Sequence, residues 1–510
     1  MPRYAAIDIG SNSIRMEAAE VVDGTSPRIL ASEREVTRLG ESVFRTGRIS
    51  QDAIALACAV LARMAAQYKA LEAVGVRAVG TSGVRDARNQ EEFIDRASRA
   101  IGAPIEVISG REEARLVQLG VDSRWPHPHQ RVLIIDIGGG SAEIIASENG
   151  HMQEAISKQL GAVRLREVFL ENDPPSEREL RYMHDFLEER LAGVAQRFGT
   201  GKWNRIIATS GTASAVACAV NGVPRSKRDR ADRLRASTAQ IRRLYKELGT
   251  LSLAERRNVA GLGPRRAEII VPGVAVLLSI LERVHARSMY YSAAGVRDGI
   301  VADLAARGIG KELALLSRDQ RKEVERLCTR FAVPLKHGRK VAGLASTLFN
   351  AFQTLHGLPP AFGRLLQAGA YLHDVGHYVN DLSHHKHSYY LIANSDMSGF
   401  TSREREFVAN LCRYHRKALP APDHDNARAL DAEERRALVL LIPLLRLADS
   451  LDRSSEQRIE SIECHIRNGQ AVIELSSPLD IELEQWAADR AGEVFRQVYG
   501  RPVTITKATA

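Results

Sequence analysis

Cysteine is scarce in this chain. Cys58, Cys218, Cys328, Cys412 and Cys464 are scattered and form no CxxC pair, which argues against a disulfide framework. Aromatic residues are 5% of the total, too few for the stacking platforms that grip single-stranded nucleic acid. No specific nucleic-acid partner is therefore expected. Long apolar runs are missing too: "ALVLLIPLL", from Ala437, falls far short of a membrane span. The opening "MPRYAAIDIG" lacks the basic-then-apolar pattern of a secretory signal. These absences lead to the expectation of a cytoplasmic, soluble protein with no membrane partner.

What the chain has is length and positive charge. Its 510 residues are too many for one core and predict three or four domains. The 71 Lys and Arg outnumber 62 Asp and Glu, a net charge of +9 that favours an anionic partner.

The most informative stretch is "IIDIGGGSAEII", Ile134 to Ile145, where three glycines interrupt two β-branched runs. Glycine weakens a strand, so Gly138, Gly139 and Gly140 require a close approach by something else. A glycine-rich turn after a buried strand gathers backbone N–H groups into an anion site. Carboxylates at the strand end would repel phosphate unless a cation lay between, so Asp136 and Glu143 are natural Mg²⁺ partners. An earlier copy, "AAIDIGSNSIR" from Ala5 to Arg15, has the same plan around Asp8. Two copies in equivalent places point to two related halves.

Both halves alternate strands and helices, which predicts an α/β architecture. Ser50 is placed to cap the helical run "QDAIALACAVLARMAAQYKA", and "SEREL" from Ser176 opens another helix. Two small-polar turns follow predicted strands and offer hydroxyl and N–H donors: "GTSGVRD", with Thr81 and Ser82, and "TSGTAS", with Ser210, Gly211 and Thr212. Arg85 could clamp a phosphate from the first turn, or be a surface arginine. In "SGREEARLVQLGV", Ser109 and Glu112 read as a capping box, which gives Glu112 a structural task. Glu113, about 100° further round the helix, is left to face a cleft as a general base or to face solvent. The charge run "RSKRDRADRLR", Arg225–Arg235, reads as a solvated loop.

"DIGSNS", "SGREEARLVQLGV", "DIGGGSAE" and "AAGVRDGI", in that order, resemble the exopolyphosphatase / guanosine pentaphosphate phosphatase family. The resemblance implies two actin-like lobes of the sugar kinase/Hsp70/actin superfold, which is ribonuclease H-like. It makes Glu113 the base, links Asp136 and Glu143 to Mg²⁺, and puts Arg85 on phosphate. It also implies that the first loop (Asp8, Gly10, Ser11, Asn12 and Ser13, with Arg15 beyond) holds phosphate from the other lobe. The reaction implied is hydrolysis of a phosphoanhydride. Inorganic polyphosphate is the leading substrate, guanosine pentaphosphate the runner-up, and a non-catalytic polyphosphate or alarmone sensor the alternative of another class.

Beyond Gly310 the pattern becomes almost entirely helical until Arg458. The order His337, His373-Asp374, Asp449 resembles the HD phosphohydrolase superfamily, in which four such side chains meet around one divalent metal. A second divalent metal is therefore expected besides Mg²⁺. His384, His385 and His387 of "SHHKHSYYLI" and His415 of "YHRK" lie close in sequence. The competing reading keeps this domain for dimerisation and a polyphosphate channel, and a homodimer is expected from the family. "SIECHIRNGQAVIELSS" alternates like a hairpin turning at Asn468-Gly469. The expected division is lobe I at 1–123, lobe II at 124–305, a helical HD-like domain at 311–458 and a small α/β tail at 459–510.

Overall fold

The computed structural model describes residues 1–22, 27–199, 203–307, 315–421, 424–467 and 470–507. The chain divides into two compact units, Met1–Ile309 and Gly310–Ala510.

The first unit contains two mixed sheets. One has the order β3-β2-β1-β4-β5, built from β1 (Arg3–Ile9), β2 (Ile14–Glu20), β3 (Arg28–Glu35), β4 (Gly75–Gly80) and β5 (Ile105–Val107). The other comprises β6 (Arg131–Ile137), β7 (Ala142–Glu148), β8 (His151–Lys158), β9 (Arg205–Thr209), β10 (Arg235–Ser237) and β11 (Ser288–Tyr291), in the order β10-β11-β9-β6-β7-β8. Each opens with an antiparallel hairpin, β1–β2 or β6–β7, whose first strand pairs in parallel with the next crossover strand, β4 or β9. The two "DIG" motifs thus end equivalent strands. The second sheet adds β10, antiparallel to β11, at its edge. The charge run is not simply a loop. It forms a 3₁₀ helix over Arg225–Ala231, and its last residue, Arg235, starts β10, where it is held opposite Tyr290 of β11.

Local signals mark several of the helices. Ser50 caps Gln51–Ala70 by accepting from the Ala53 N–H, and Ser176 forms a reciprocal capping box with Glu179. Gln51–Ala70 is long and apolar enough to cross a membrane, yet Ile54, Ala57, Val60, Leu61, Met64, Ala65 and Tyr68 are buried in the core of the first sheet.

The Gly110–Arg124 helix and the Val296–Ala306 helix pack against each other between the sheets. Their backbones approach so closely that a Cβ on Gly299 would lie 1.8 Å from the Leu116 carbonyl oxygen. Beside this crossing, Asp303 accepts from Arg77, Arg115 and Arg307 at 2.9, 2.8 and 2.7 Å. Glu112 accepts from Arg115 Nε at 2.8 Å and from Arg77 at 3.2 Å. The capping expectation is thereby modified. Ser109 Oγ accepts from the Glu112 N–H, but the Glu112 carboxylate serves this buried arginine network.

In the second unit, helices from Arg318–Arg330 to Ala432–Ser450 share one core with a three-stranded sheet. Its strands are β12 (Ser461–Arg467), β13 (Gln470–Ser476) and β14 (Val503–Lys507). β12 and β13 form the expected hairpin; Asn468-Gly469 lies outside the described residues.

Candidate active site

The two hairpin turns are built alike. The Gly10 N–H donates to the Ser13 carbonyl at 3.1 Å, and the Gly138 N–H donates to the Ser141 carbonyl at 3.0 Å. The turns pack on one another, which explains two of the glycines. A Cβ on Gly139 would sit 3.0 Å from Ser11 Cβ, and one on Gly140 would sit 2.3 Å from Ser82 Oγ. Gly138 has more room, with only the Ser141 carbonyl oxygen nearby at 3.4 Å. Gly140, expected beside phosphate, is instead where lobe meets lobe.

A cavity lies between the turns. Its walls include Asp8, Gly10, Ser11, Asn12, Ser13, Arg15, Thr81, Ser82, Glu113, Asp136, Gly138, Gly139, Ser141, Ser210 and Gly211. The structure thus brings together most of the residues singled out in sequence. Four others stand outside the wall. Gly140 is in the packing contact just described. Thr212 is fully buried, its hydroxyl without a hydrogen-bond partner. Glu143, 1% exposed, accepts from Ser157 Oγ at 2.7 Å. Arg85 donates to the Ile108 carbonyl at 2.5 Å, and its Nη1 lies 3.6 Å from Glu113 Oε2. Its nearest charged neighbour is thus Glu113, because the short Ser82–Arg85 helix runs beside the start of the Gly110–Arg124 helix.

Arg266 and Arg297 line the cavity as well and were missed. Arg297 lies within the "AAGVRDGI" motif, and its guanidinium donates to the Met16 carbonyl and Ser32 Oγ. Arg266, in "GPRRAEII", carries no sequence signal of its own. It packs over Gly211, where a Cβ would meet its guanidinium at 2.0 Å. Asp298 also reaches the wall, but it caps its own helix through the Gly295 N–H and accepts from Arg124.

The cavity has two electrostatic poles. At one, burial holds Glu113, Glu143, Asp136 and Asp8 above the ordinary carboxylate range. For Glu113 the carboxylate of Glu143 adds to burial, while Arg85 opposes it. Glu143 is pushed up to about 8 by burial and then by Asp136. At the other pole, burial and Arg15 push Arg266 down to about 10. Burial likewise lowers Arg15, helped by Arg297 and opposed by Asp8. One pole is thus short of positive charge and the other short of negative charge. Asp136 Oδ1 and Glu113 Oε2 are buried without a hydrogen-bond partner. Asp136, with Glu143 opposite it across the hairpin, makes an acidic oxygen pair that suits a divalent cation such as Mg²⁺, and leaves Glu113 Oε2 open to water.

Comparison with known proteins identifies the group. A model described as the Ppx/GppA phosphatase family matches residues 18–307, and one described as Ppx/GppA phosphatase, domain III, matches residues 320–488. The chain belongs to the Ppx/GppA phosphatase family. It is accordingly a phosphoanhydride hydrolase. Among curated relatives, a guanosine-5'-triphosphate,3'-diphosphate pyrophosphatase of Vibrio vulnificus is 27% identical over 90% of this chain and 88% of its own length. A protein of the same name from Vibrio parahaemolyticus is 25% identical over 99% of this chain and 98% of its own. Among solved structures, the Aquifex aeolicus family member matches with TM-score 0.52 at 30% identity, covering 60% of this chain and 98% of its own. An exopolyphosphatase from Cytophaga hutchinsonii matches with TM-score 0.56 at 27% identity, over 60% and 98% respectively.

In the second unit, His337, His373, Asp374 and Asp449 also meet. His373 Nε2 lies 3.2 Å from Asp449 Oδ1 and 3.5 Å from Asp374 Oδ2, and His337 Nε2 lies 3.7 Å from Asp449 Oδ1. His384 and His415 are buried, with their Nε2 atoms 3.1 Å apart.

Proposed function

We propose that this phosphatase hydrolyses the terminal 5′ phosphoanhydride of guanosine pentaphosphate, releasing orthophosphate. The observation that carries the chemistry is the two-pole cavity, whose wall holds both the Glu113 carboxylate, with an Oε2 that accepts no hydrogen bond, and the guanidinium groups of Arg15, Arg266 and Arg297. The sequence alone ranked polyphosphate first. The two relatives matched over most of their length favour the nucleotide instead, since both are named for guanosine-5'-triphosphate,3'-diphosphate.

In this reading Glu113 takes a proton from water at its Oε2, which accepts no hydrogen bond, while Arg85, 3.6 Å from that oxygen, offsets the carboxylate's charge. The water oxygen bonds to the terminal phosphorus as the bridging P–O bond breaks, and the departing diphosphate oxygen carries its charge toward the arginines. Arg15, Arg266 and Arg297, with the Gly10–Ser13 and Gly138–Ser141 turns, hold the phosphate chain. Asp136 and Glu143 would hold Mg²⁺, which when bound neutralises phosphoryl charge. In the C-terminal unit, His337, His373, Asp374 and Asp449 would hold one divalent ion.

The test is a side-by-side measurement of orthophosphate release from guanosine pentaphosphate and from long-chain polyphosphate, with Mg²⁺. A higher kcat/KM on the nucleotide is expected. Efficient release from polyphosphate alone overturns the substrate assignment, and release from neither overturns the hydrolase reading of the cavity.

A further inference from the structure

A second cavity lies beside the catalytic one, and its chemistry is different. Its volume is about 230 Å³, and Asn12 stands on the wall of both. Both lobes contribute to it. Arg38, just before the Leu39–Thr46 helix, is held at φ 54°, a left-handed backbone that costs a residue with a side chain about 1–3 kcal/mol. Two contacts keep it there. Its N–H donates to the Asn12 carbonyl at 3.2 Å, and its guanidinium reaches Glu268 of the other lobe at 2.8 Å. The cavity is thus fixed beside the Gly10–Ser13 turn.

The lining decides what can enter. Each of its three arginines already has a carboxylate: Arg38 pairs with Glu268, Arg256 with Asp173 at 2.6 Å, and Arg166 with Glu167. Glu41 and Glu171 are left over. Glu41 lies 3.5 Å from the shared Arg38, and Glu171 is exposed and enters no ion pair among the described residues. Five carboxylates against three guanidinium groups make this space net negative, so a phosphate chain is repelled from it. Leu170, Leu253 and Ile269 add apolar surface. One donor is unsatisfied: Arg256 is 6% exposed, and its Nε has no hydrogen-bond partner. A buried donor in that condition is costly until an acceptor arrives.

We infer that this cavity is the base subsite of the nucleotide substrate and that it selects guanine. The subsite presupposes the nucleotide substrate proposed above and adds the part that reads its base. Guanine is flat and uncharged. It carries two neighbouring donors, N1–H and the 2-amino group, and two acceptors, O6 and N7. Glu171 accepts from the donors, Arg256 Nε donates to an acceptor, and Leu170, Leu253 and Ile269 pack on the ring. Adenine has a lone pair at N1, no amino group at position 2 and a donor at position 6, so both groups meet the wrong partner. Inorganic polyphosphate meets only repulsion. The surplus of carboxylates therefore filters substrate classes: terminal phosphates enter the cavity of Arg15, Arg266 and Arg297, and only an uncharged base follows into this one.

The experiment measures kcat/KM with Mg²⁺ on guanosine pentaphosphate, its adenosine counterpart and inorganic tripolyphosphate. The proteins are the wild type, Glu171→Gln, Glu171→Lys and Leu253→Trp, each checked for folding by thermal unfolding. The wild type should prefer guanosine to adenosine by about 10- to 100-fold, the worth of a hydrogen bond to a charged group. Glu171→Gln should remove most of that preference. Leu253→Trp fills the cavity and should raise KM for the nucleotide more than for tripolyphosphate. Glu171→Lys should raise kcat/KM on tripolyphosphate by about 2- to 10-fold at low salt. The Kd of guanosine pentaphosphate for Glu113→Gln, with and without Glu171→Gln, reads the same contact without turnover. Equal use of both pentaphosphates, or a preference untouched by Glu171→Gln and Leu253→Trp, overturns the base subsite and leaves the nucleotide substrate standing. Release from tripolyphosphate alone, with no nucleotide bound, overturns both. Tripolyphosphate release that stays level or falls in Glu171→Lys overturns the charge filter.

Discussion

Replacing Glu113 by glutamine keeps the shape of the side chain and removes only its capacity to accept a proton. A positioned general base contributes about 10² to 10⁴ in rate, so Glu113→Gln should lower kcat by that factor, which is about 3–5 kcal/mol of barrier. KM should move little, because Oε2 makes no hydrogen bond that holds the ground state. The substitution should also leave stability unchanged or raise it. Glu113 in the folded chain titrates above its ordinary 4.5, because burial and Glu143 oppose its ionisation. A carboxyl raised in this way favours folding below pH 4.5 and loses that advantage as pH rises. At pH 7 the wild type therefore bears the cost of an ionised, crowded Glu113, and Glu113→Gln does not. The assay is steady-state orthophosphate release with Mg²⁺, accompanied by thermal unfolding in chelator at pH 5 and pH 7.5. The variant's advantage in Tm should grow with pH. A kcat within threefold of wild type would refute the role of Glu113. A fall in Tm equal at both pH values would show that the lost activity reflects damaged packing.

Arg266→Met should weaken substrate binding by about 10- to 100-fold, the loss of one charge-assisted contact, with apo stability unchanged or improved because Arg15 no longer repels it; KM and unfolding together check this. Gly140→Ala should destabilise the protein by about 1–3 kcal/mol, since its Cβ would meet Ser82 Oγ at 2.3 Å, whereas Gly138→Ala, with 3.4 Å to its nearest neighbour, should be near neutral by denaturant titration. Asp303→Asn should cost about 3–5 kcal/mol at pH 7 by leaving Arg77, Arg115 and Arg307 short of a counter-charge. These arginines hold the Asp303 carboxyl below its ordinary 3.8, so its contribution is present above that pH and lost as pH falls further; the gap between variant and wild type should therefore narrow in acid denaturation below pH 4.

Much of the first unit could be read in the sequence because its signals are local. A strand, a glycine turn and a return strand announce each hairpin, and Ser50 and Ser176 announce their helices within four residues. What could not be read depends on distant partners. Glu112 looked like a cap because Ser109 is three residues away. Its carboxylate is claimed by Arg77, and the same cluster includes Asp303, about 190 residues further on. Gly140 looked like a phosphate contact because nothing local says that Ser82 packs on it. Arg266 has no motif, since one guanidinium over a glycine leaves no periodicity. In the C-terminal unit the order of His337, His373, Asp374 and Asp449 was visible. The 3.1 Å approach of His384 to His415 was not, because sequence order carries no information on which way a ring nitrogen faces.

The duplicated hairpin also explains why the cavity has two poles. In the first copy the cross-strand partner of Asp8 is Arg15; in the second, the residue opposite Asp136 is Glu143. The register is the same, the turn bonds are the same, and one position differs in sign. Cross-strand neighbours on one face stand close enough to set each other's charge state. In the first lobe Asp8 and Arg15 offset each other, and Arg266 and Arg297 on the same cavity wall are left for an anion. In the second, two carboxylates face each other, and burial with mutual repulsion drives Glu143 to about 8. That pair is stable near neutral pH only with a cation or a proton. Packing the lobes together through Gly139 and Gly140 brings the anion-seeking and cation-seeking copies into one cavity, with Glu113 on its wall. A phosphate chain accompanied by a divalent ion is the ligand that satisfies both at once. The unliganded site is therefore electrostatically frustrated, and binding energy relieves that frustration at the place where the bond is to be broken.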